Sequence, residues 1–132
     1  MKHARRESQF EFKDEKLSKD EIAEMEMYTK VDKAKIEEHF DRVALNYDAI
    51  HQRAGYSDPK QCAEFLDHYA NYESMSPSDV SILDFGCGTG LVGEELNKLG
   101  YKNITGFDVS EKMLELAAEK NVYSKLEKIQ LG

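Results

Sequence analysis

The chain has 132 residues, a net charge of −8 at pH 7 and 40% hydrophobic residues. This length predicts one domain with its own hydrophobic core. The acidic balance offers no basic stretch that could neutralise phosphate groups, so we expect no nucleic acid partner. The sequence also has no apolar run long enough to cross a membrane and no signal-peptide pattern at its N-terminus, so we expect no membrane partner.

The cysteines and histidines indicate neither a disulfide nor a metal site. Cys62 and Cys87 are the only cysteines, and Cys87 lies in a glycine-rich stretch where a disulfide would be out of place. We therefore expect free thiols and a cytoplasmic or nuclear location. The four histidines are scattered at spacings that match no metal site. A lone histidine such as His51 or His68 is more often a surface or core residue than a catalytic base, so the catalytic residue stays unassigned.

Residues 1–31 mix charges with few apolar side chains and are predicted to form a mobile N-terminal segment. Within this segment, Ser18 and Glu21 have the spacing of a capping box. This spacing predicts that a short helix begins there.

Residues 32–79 predict a layer of helices. A first helix over 33–47 has Asp32 as its N-cap, and its apolar residues fall on one stripe. Residues 48–57 are predicted to be irregular. A second helix begins with Asp58 as N-cap and Pro59 in the first helical position. Its predicted buried face consists of Cys62, Phe65, Leu66 and Tyr69.

Residues 80–132 carry the pattern that indicates function. An apolar run containing Asp84 is followed by glycines at 86, 88 and 90, and then by a helical pattern. A second apolar run ends at Asp108, Ser110 is the predicted N-cap of a further helix, and a third strand is predicted within 126–131. The order of strand, glycine loop, helix, strand and acid is the first half of a nucleotide-binding βαβ unit. The predicted fold class is therefore α/β, Rossmann-like.

Two cofactors fit this unit. Glycines without side chains let the backbone approach a ligand, and a carboxylate after the second strand can bind a ribose diol. Gly88, Gly90 and Gly93 satisfy the G-x-G-x-x-G spacing of a nicotinamide dinucleotide site, with Asp108 twenty residues after Gly88. Asp84, however, precedes the loop by two residues, where a carboxylate is unfavourable beside a pyrophosphate and favourable beside an ammonium group.

The stretches DFGCGTG at 84–90 and DVSEKMLELA at 108–117 resemble two signature segments of the class I S-adenosylmethionine-dependent methyltransferases. The resemblance covers roughly residues 36–131 and is nearest to one subgroup, the methyltransferase-like protein of the Williams–Beuren region. It implies S-adenosyl-L-methionine as cofactor and methyl transfer to a small-molecule or peptide acceptor, which it does not identify. It also implies a seven-stranded Rossmann-like sheet, of which this chain supplies about three strands.

The resemblance also implies cofactor-binding residues, which lie in the first long helix, in the glycine loop and at the end of the second strand: Tyr47, Asp84, Gly86, Gly88, Thr89, Gly90, Asp108 and Val109. In this assignment Asp108 binds the ribose diol and Val109 lies against the adenine. Asp84 orients the loop and offsets the ammonium charge, Thr89 supplies a hydroxyl or N–H group, and Tyr47 covers the methionine end.

Three functions stay open from the sequence. The first is an S-adenosylmethionine-dependent methyltransferase, in a truncated form. The second is a non-catalytic binding remnant of such an enzyme, which associates through an open sheet edge, because no fourth strand is predicted to pair with the first. The third is an NAD-dependent oxidoreductase.

Overall fold

The computed structural model of the chain describes residues 17–27 and 35–130. The predicted mobile tail before Leu17 and the predicted N-cap Asp32 lie outside these residues. Three helices come first in the described part of the chain, and a βαβαβ unit follows them. In chain order they are α1 Lys19–Met27, α2 Ile36–Arg53, α3 Asp58–Tyr72, a 3-10 turn Pro77–Asp79, β1 Ile82–Phe85, α4 Leu91–Lys98, β2 Ile104–Asp108, α5 Glu111–Glu119 and β3 Lys125–Lys128.

The three strands form one parallel sheet in the order β1-β2-β3. Ile82 pairs with Ile104, and Thr105 pairs with Lys125. Parallel neighbours need a crossover connection, which α4 and α5 supply. The predicted α/β, Rossmann-like class with about three strands is confirmed, whereas the predicted division of the chain at residues 31 and 79 stays a prediction.

The hydrophobic core lies between the sheet and the helices. One cluster joins α3 and α4 to the sheet, and a second joins α2 to α5. The buried members of the first are Ala63, Ala70, Ile82, Leu96, Tyr101 and Ile104, and those of the second are Val43, Ala44 and Met113. Helix α2 packs on α5 through the second cluster. This contact positions α2 over the carboxyl ends of the strands, where Phe40 and Tyr47 line a cavity.

Two helix starts follow their sequence signals. The Ser18 N–H donates to Glu21 Oε2 at 2.8 Å and the Glu21 N–H donates to Ser18 Oγ at 3.2 Å, so the capping box is formed. Ser110 is the N-cap of α5, and its Oγ accepts from the Met113 N–H at 3.1 Å. Each contact satisfies an N–H group that has no partner within its helix.

The boundaries of α2 and α3 differ from the prediction. Helix α2 continues to Arg53, so most of the stretch 48–57 that we predicted to be irregular is helical. Buried Ile50 and His51 extend the apolar stripe, and the helix ends just before Gly55, whose φ is +71°. The residue before α3 is Ser57, so Asp58 is inside the helix rather than its N-cap.

The predicted buried face of α3 is wrong for three of its four residues, and only Leu66 among them packs against the core. Cys62 is exposed, Phe65 is 75% exposed and Tyr69 is 62% exposed, whereas Ala63 and Ala70 are buried. Helix α3 carries two apolar stripes, one of large and one of small side chains. The small stripe faces α4 because alanines let two helices approach closely, and the aromatic stripe is left outside.

Tyr101 links the sheet end of the core to α3. Its ring is fully buried and its hydroxyl donates to Asp67 Oδ1 at 2.8 Å. We expect Tyr101→Phe to lower the free energy of unfolding by about 1–2 kcal/mol, because a buried hydroxyl bond to a carboxylate is lost. Denaturant titration measures this change. Tyr72→Phe is the matched control, since Tyr72 is 80% exposed, and equal stability of the two variants would contradict the assignment.

His51 makes stability depend on pH. Its ring stacks on Tyr47 with centroids 3.9 Å apart, and its Nδ1–H donates to the Tyr47 carbonyl at 2.8 Å. Burial lowers the pKa of His51 below its ordinary value of 6.5, against the smaller raising effects of that hydrogen bond and of Asp48. The unfolded chain therefore takes up this proton at a higher pH than the folded chain.

We expect the free energy of unfolding to decrease as the pH falls below about 6.5, the value at which the unfolded histidine protonates. Denaturant titrations from neutral pH downwards measure the slope. His51→Gln removes the titrating group and should flatten that part of the profile. An identical slope in both proteins would rule out His51 as its source.

Candidate functional site

A cavity of about 490 Å³ lies between α2 and the carboxyl ends of β1 and β2. Ligands of open α/β sheets bind at this end of the strands, and the volume suits a small-molecule site. Its lining comes from α2, the glycine loop (residues 86–90), the end of β2, α5 and the residues after β3. The lining residues are Ile36, Phe40, Tyr47, Gly86, Gly88, Asp108, Val109, Met113, Ile129 and Gln130.

The glycine loop presents bare backbone to this cavity. Gly86 and Gly88 have φ of +72° and +55°, a region that side chains rarely adopt. A Cβ placed on either glycine would meet nothing within 4 Å, so the open space beside the backbone is available to a ligand. The loop is tied to β2, because the N–H groups of Gly86 and Cys87 donate to the Phe107 carbonyl at 2.8 and 2.9 Å.

Asp108 is oriented by two backbone N–H groups. Its Oδ2 accepts from the Gly88 N–H and its Oδ1 accepts from the Ser110 N–H, each at 2.9 Å. A carboxylate oxygen has two lone pairs, so both oxygens can still accept from a ligand hydroxyl. The carboxylate is therefore held at the cavity wall in one orientation, as a diol-binding group requires.

Thr89 makes its polar contacts away from the cavity lining. The residue is 1% exposed, and its hydroxyl donates to the Asp48 carboxylate on α2. The Lys120 ammonium donates both to Asp48 Oδ2 and to the Thr89 carbonyl, at 2.6 Å each. These contacts, which we call the Asp48–Lys120 clamp, join α2, the glycine loop and the end of α5.

Asp84 also lies outside the cavity lining. Its Oδ2 accepts a hydrogen bond from the Tyr123 hydroxyl at 2.7 Å. Burial raises the pKa of Asp84; the hydrogen bond from Tyr123 opposes this effect and the charge of Asp108 adds to it. Asp84 is therefore a half-buried group at the end of β1, and Tyr123 holds it two residues before the loop begins.

Cys87 is the one cysteine of the described residues that is buried, and it lies inside the loop. Burial raises the pKa of its thiol to about 12, with further contributions from the charges of Asp84 and Asp108. The thiol stays protonated at neutral pH, so it is a poor nucleophile.

The structure therefore brings together five of the eight predicted cofactor residues. Those at the cavity are Tyr47, Gly86, Gly88, Asp108 and Val109, and those outside its lining are Asp84, Thr89 and Gly90. A Cβ on Gly90 would lie 2.9 Å from Tyr123 and 3.3 Å from Ala117, which places Gly90 against the core.

The sequence does not predict the side chains that connect α2 to the glycine loop and to α5. Asp41 accepts from the Ser110 hydroxyl at 2.5 Å and from the Lys112 N–H at 3.2 Å, which ties α2 to the start of α5. Lys120 carried no signal beyond that of a basic residue at a helix end. Asp48 lies within the residues that the resemblance covers, but nothing in the local sequence indicates its partners.

Two kinds of feature are absent from the described residues. Within residues 17–27 and 35–130, no group of three or more histidine, cysteine, aspartate or glutamate side chains is arranged to hold a metal ion. No helix in the same part of the chain combines the length and the apolar character needed to cross a membrane.

Comparison with known proteins gives a family for the βαβαβ unit. Residues 82–131 match the methyltransferase domain family. Methyltransferase-like protein 27 of Homo sapiens is 34% identical over 93 residues, which cover 70% of this chain and 37% of that protein. The ribosomal protein L11 methyltransferase of Shewanella baltica (strain OS195) is 38% identical over 63 residues, which cover 46% of this chain and 20% of the relative.

The chain thus spans well under half the length of these curated relatives. The matched residues coincide with β1 to β3 and include the glycine loop and Asp108 at the end of β2. Because the matched family, the similar proteins and the parallel sheet agree, residues 82–131 are a segment of the methyltransferase domain family, with three parallel strands of an incomplete Rossmann-like methyltransferase fold.

Proposed function

We propose that this chain binds S-adenosyl-L-methionine in the cavity over the glycine loop and serves methyl transfer to a small-molecule or peptide acceptor. The observation that carries the proposal is the Asp108 carboxylate, which two backbone N–H groups hold at the cavity wall beside bare glycine backbone. When bound, S-adenosylmethionine supplies a methyl group on a cationic sulfonium, which is the reactive centre.

The residues present fit this group in character. Asp108 offers acceptors for the two ribose hydroxyls, and Val109 and Met113 offer apolar surface for the adenine. Gly86 and Gly88 leave room for the methionine moiety beside the backbone. Together, these cavity residues suit a ligand that has a diol, an aromatic base and an amino-acid end.

Helix α2 supplies the wall opposite the loop. Ile36, Phe40 and Tyr47 line the cavity from this helix, and their apolar surfaces keep water from the ligand. The Asp48–Lys120 clamp holds the helix to the Thr89 hydroxyl and carbonyl, so the wall and the loop keep a common geometry. A fixed geometry is what direct transfer needs, since it depends on aligning the methyl group with its acceptor.

A nicotinamide dinucleotide is a weaker candidate for the same cavity. Of the three glycines with the matching spacing, Gly88 lines the cavity, whereas Gly90 and Gly93 lie against Tyr123. Their lack of side chains serves packing, so it is no argument for a pyrophosphate.

A binding module without catalysis is the second candidate function. One face of the sheet favours it, because the described helices leave that face exposed. Leu83 is 59% exposed and Phe85 is 53% exposed, with Phe85 stacked on Phe107 at 4.8 Å. Parallel sheets are normally covered on both faces. Concentration-dependent association in sedimentation experiments, without cofactor binding, would favour this function over methyl transfer.

Calorimetric titration of S-adenosylhomocysteine into the 132-residue chain tests the cofactor proposal, with NAD as the control ligand. We expect binding of micromolar strength, about −8 kcal/mol, and none for NAD. Binding of NAD alone would favour the oxidoreductase, and binding of neither ligand would refute the cofactor site.

A variant of Asp108 tests the ribose assignment. We expect Asp108→Ala to weaken S-adenosylhomocysteine binding by roughly 2–4 kcal/mol, because charge-assisted hydrogen bonds to the diol are lost. The substitution also frees the Gly88 N–H, so the titration is repeated with the 2′-deoxyribose analogue of the ligand. A contact to the diol predicts a smaller loss with this analogue, whereas equal losses would mean that Asp108 only supports the loop.

A further inference from the structure

The ring of Tyr123 occupies space next to Gly90, Gly93 and Gly106 that side chains at these positions would fill. Tyr123 lies between α5 and β3, and it touches the backbone of three other segments. A Cβ added to Gly93 on α4 would lie 2.7 Å from Tyr123 Cε2, and one added to Gly106 on β2 would lie 2.9 Å from its Cδ1. Real Cβ atoms essentially never approach so closely, so the ring sets how near α4 packs to β2.

The hydroxyl of Tyr123 reaches the acid that precedes the glycine loop. Its Oη donates to Asp84 Oδ2 at 2.7 Å, and Asp84 stands two residues before Gly86, where the backbone first lines the cavity. The pair is half-buried, so the hydrogen bond is not exchanged freely with water.

Three titratable groups of the described chain face Asp84, namely Tyr123, Cys87 and Asp108. Asp108 adds a like charge, and the Cys87 thiol is directed to the Gly88 carbonyl at 3.8 Å. Tyr123 supplies the hydrogen bond that favours the carboxylate form against burial and against the charge of Asp108. Asp84 in turn keeps the Tyr123 hydroxyl protonated, since it raises the pKa of that group in addition to the larger effect of burial.

We propose that Tyr123 is a positioning residue for the cofactor site: its hydroxyl fixes the Asp84 carboxylate at the end of β1, two residues before the glycine loop, and its ring sets the distance between α4 and the sheet. The Asp84 charge then stands below the loop on which the cationic amino-acid end of the ligand rests. This inference rests on the proposed S-adenosylmethionine site.

The hydroxyl can be tested by itself, because Tyr123→Phe keeps the ring in its slot. Tyr101→Phe is a matched control, since Tyr101 is also buried and also donates to an aspartate, Asp67, at 2.8 Å. We expect Tyr123→Phe to weaken S-adenosylhomocysteine binding about tenfold, as for one hydrogen bond to a charged group. Tyr101→Phe should leave the affinity unchanged while lowering thermal stability.

The pH dependence of binding separates positioning from general loosening. Without the hydroxyl, Asp84 loses the interaction that favours its charged form, so it takes up a proton at a higher pH. The affinity of Tyr123→Phe should therefore begin to fall at a higher pH than that of the wild type when the solution is acidified. Tyr101→Phe should follow the wild type, and Asp84→Asn should bind weakly with no fall over this range.

The outcomes distinguish the inference from the function on which it rests. If the wild type does not bind S-adenosylhomocysteine, the proposed function and this inference both fail. If the wild type binds and Tyr123→Phe matches Tyr101→Phe in affinity and pH profile, the inference alone is overturned. Should Tyr123→Phe not fold, Asp84→Asn decides, because a wild-type pH profile in that variant would refute any role for the Asp84 charge.

Discussion

The backbone N–H and C=O groups of the turn from β1 into α4 need hydrogen-bond partners, yet one side of this turn must stay open to the cavity. Buried N–H and C=O groups are costly when unpaired, and a loop of glycines has few side chains to pair them. Here the partners come from elsewhere in the chain: the Phe107 carbonyl and the Asp108 side chain at the end of β2, and Lys120 after α5. Because these contacts come from β2 and α5, the backbone of Gly86 and Gly88 stays free to line the cavity.

The same requirement explains how α2 is placed. This helix is docked by its apolar stripe and by two acids that lie about two turns apart. Asp41 binds at the start of α5, and Asp48 binds Thr89 and Lys120. The Lys120 side chain is 13% exposed and that of Asp48 is 41% exposed, so water screens their ion pair from one side only. Both side chains of the Glu37–Lys128 pair are nearly half exposed, so that pair contributes little.

One face of the sheet is buried against helices, and the other is exposed in the described part of the chain. Ile82 and Ile104 point into the core with α3 and α4, while the alternate residues Leu83 and Phe85 remain exposed. A strand alternates its side chains between faces, so one strand cannot bury both sets unless both faces are covered. The described helices cover the face that builds the cofactor cavity, which is why the site is well formed beside a bare apolar face.

Local sequence patterns by themselves determine the order of elements and the centre of the site. Apolar runs, glycine spacing and the N-cap Ser110 act through near neighbours, so they predict β1, the glycine loop, α4, β2 and α5 without knowledge of the fold. Gly86, Gly88 and Asp108 follow from these patterns, whereas Tyr47 and Val109 are implied by the family resemblance, and all five line one cavity.

Only the tertiary structure decides how the remaining groups are used. Asp84 and Tyr123 are 39 residues apart, and Asp48 and Lys120 are 72 apart, so no local pattern could pair them. The buried face of α3 was equally undetermined, since its two apolar stripes are alike in period and differ in size. Close packing against α4 selects the alanine stripe, and contacts between distant segments select which polar groups support the site.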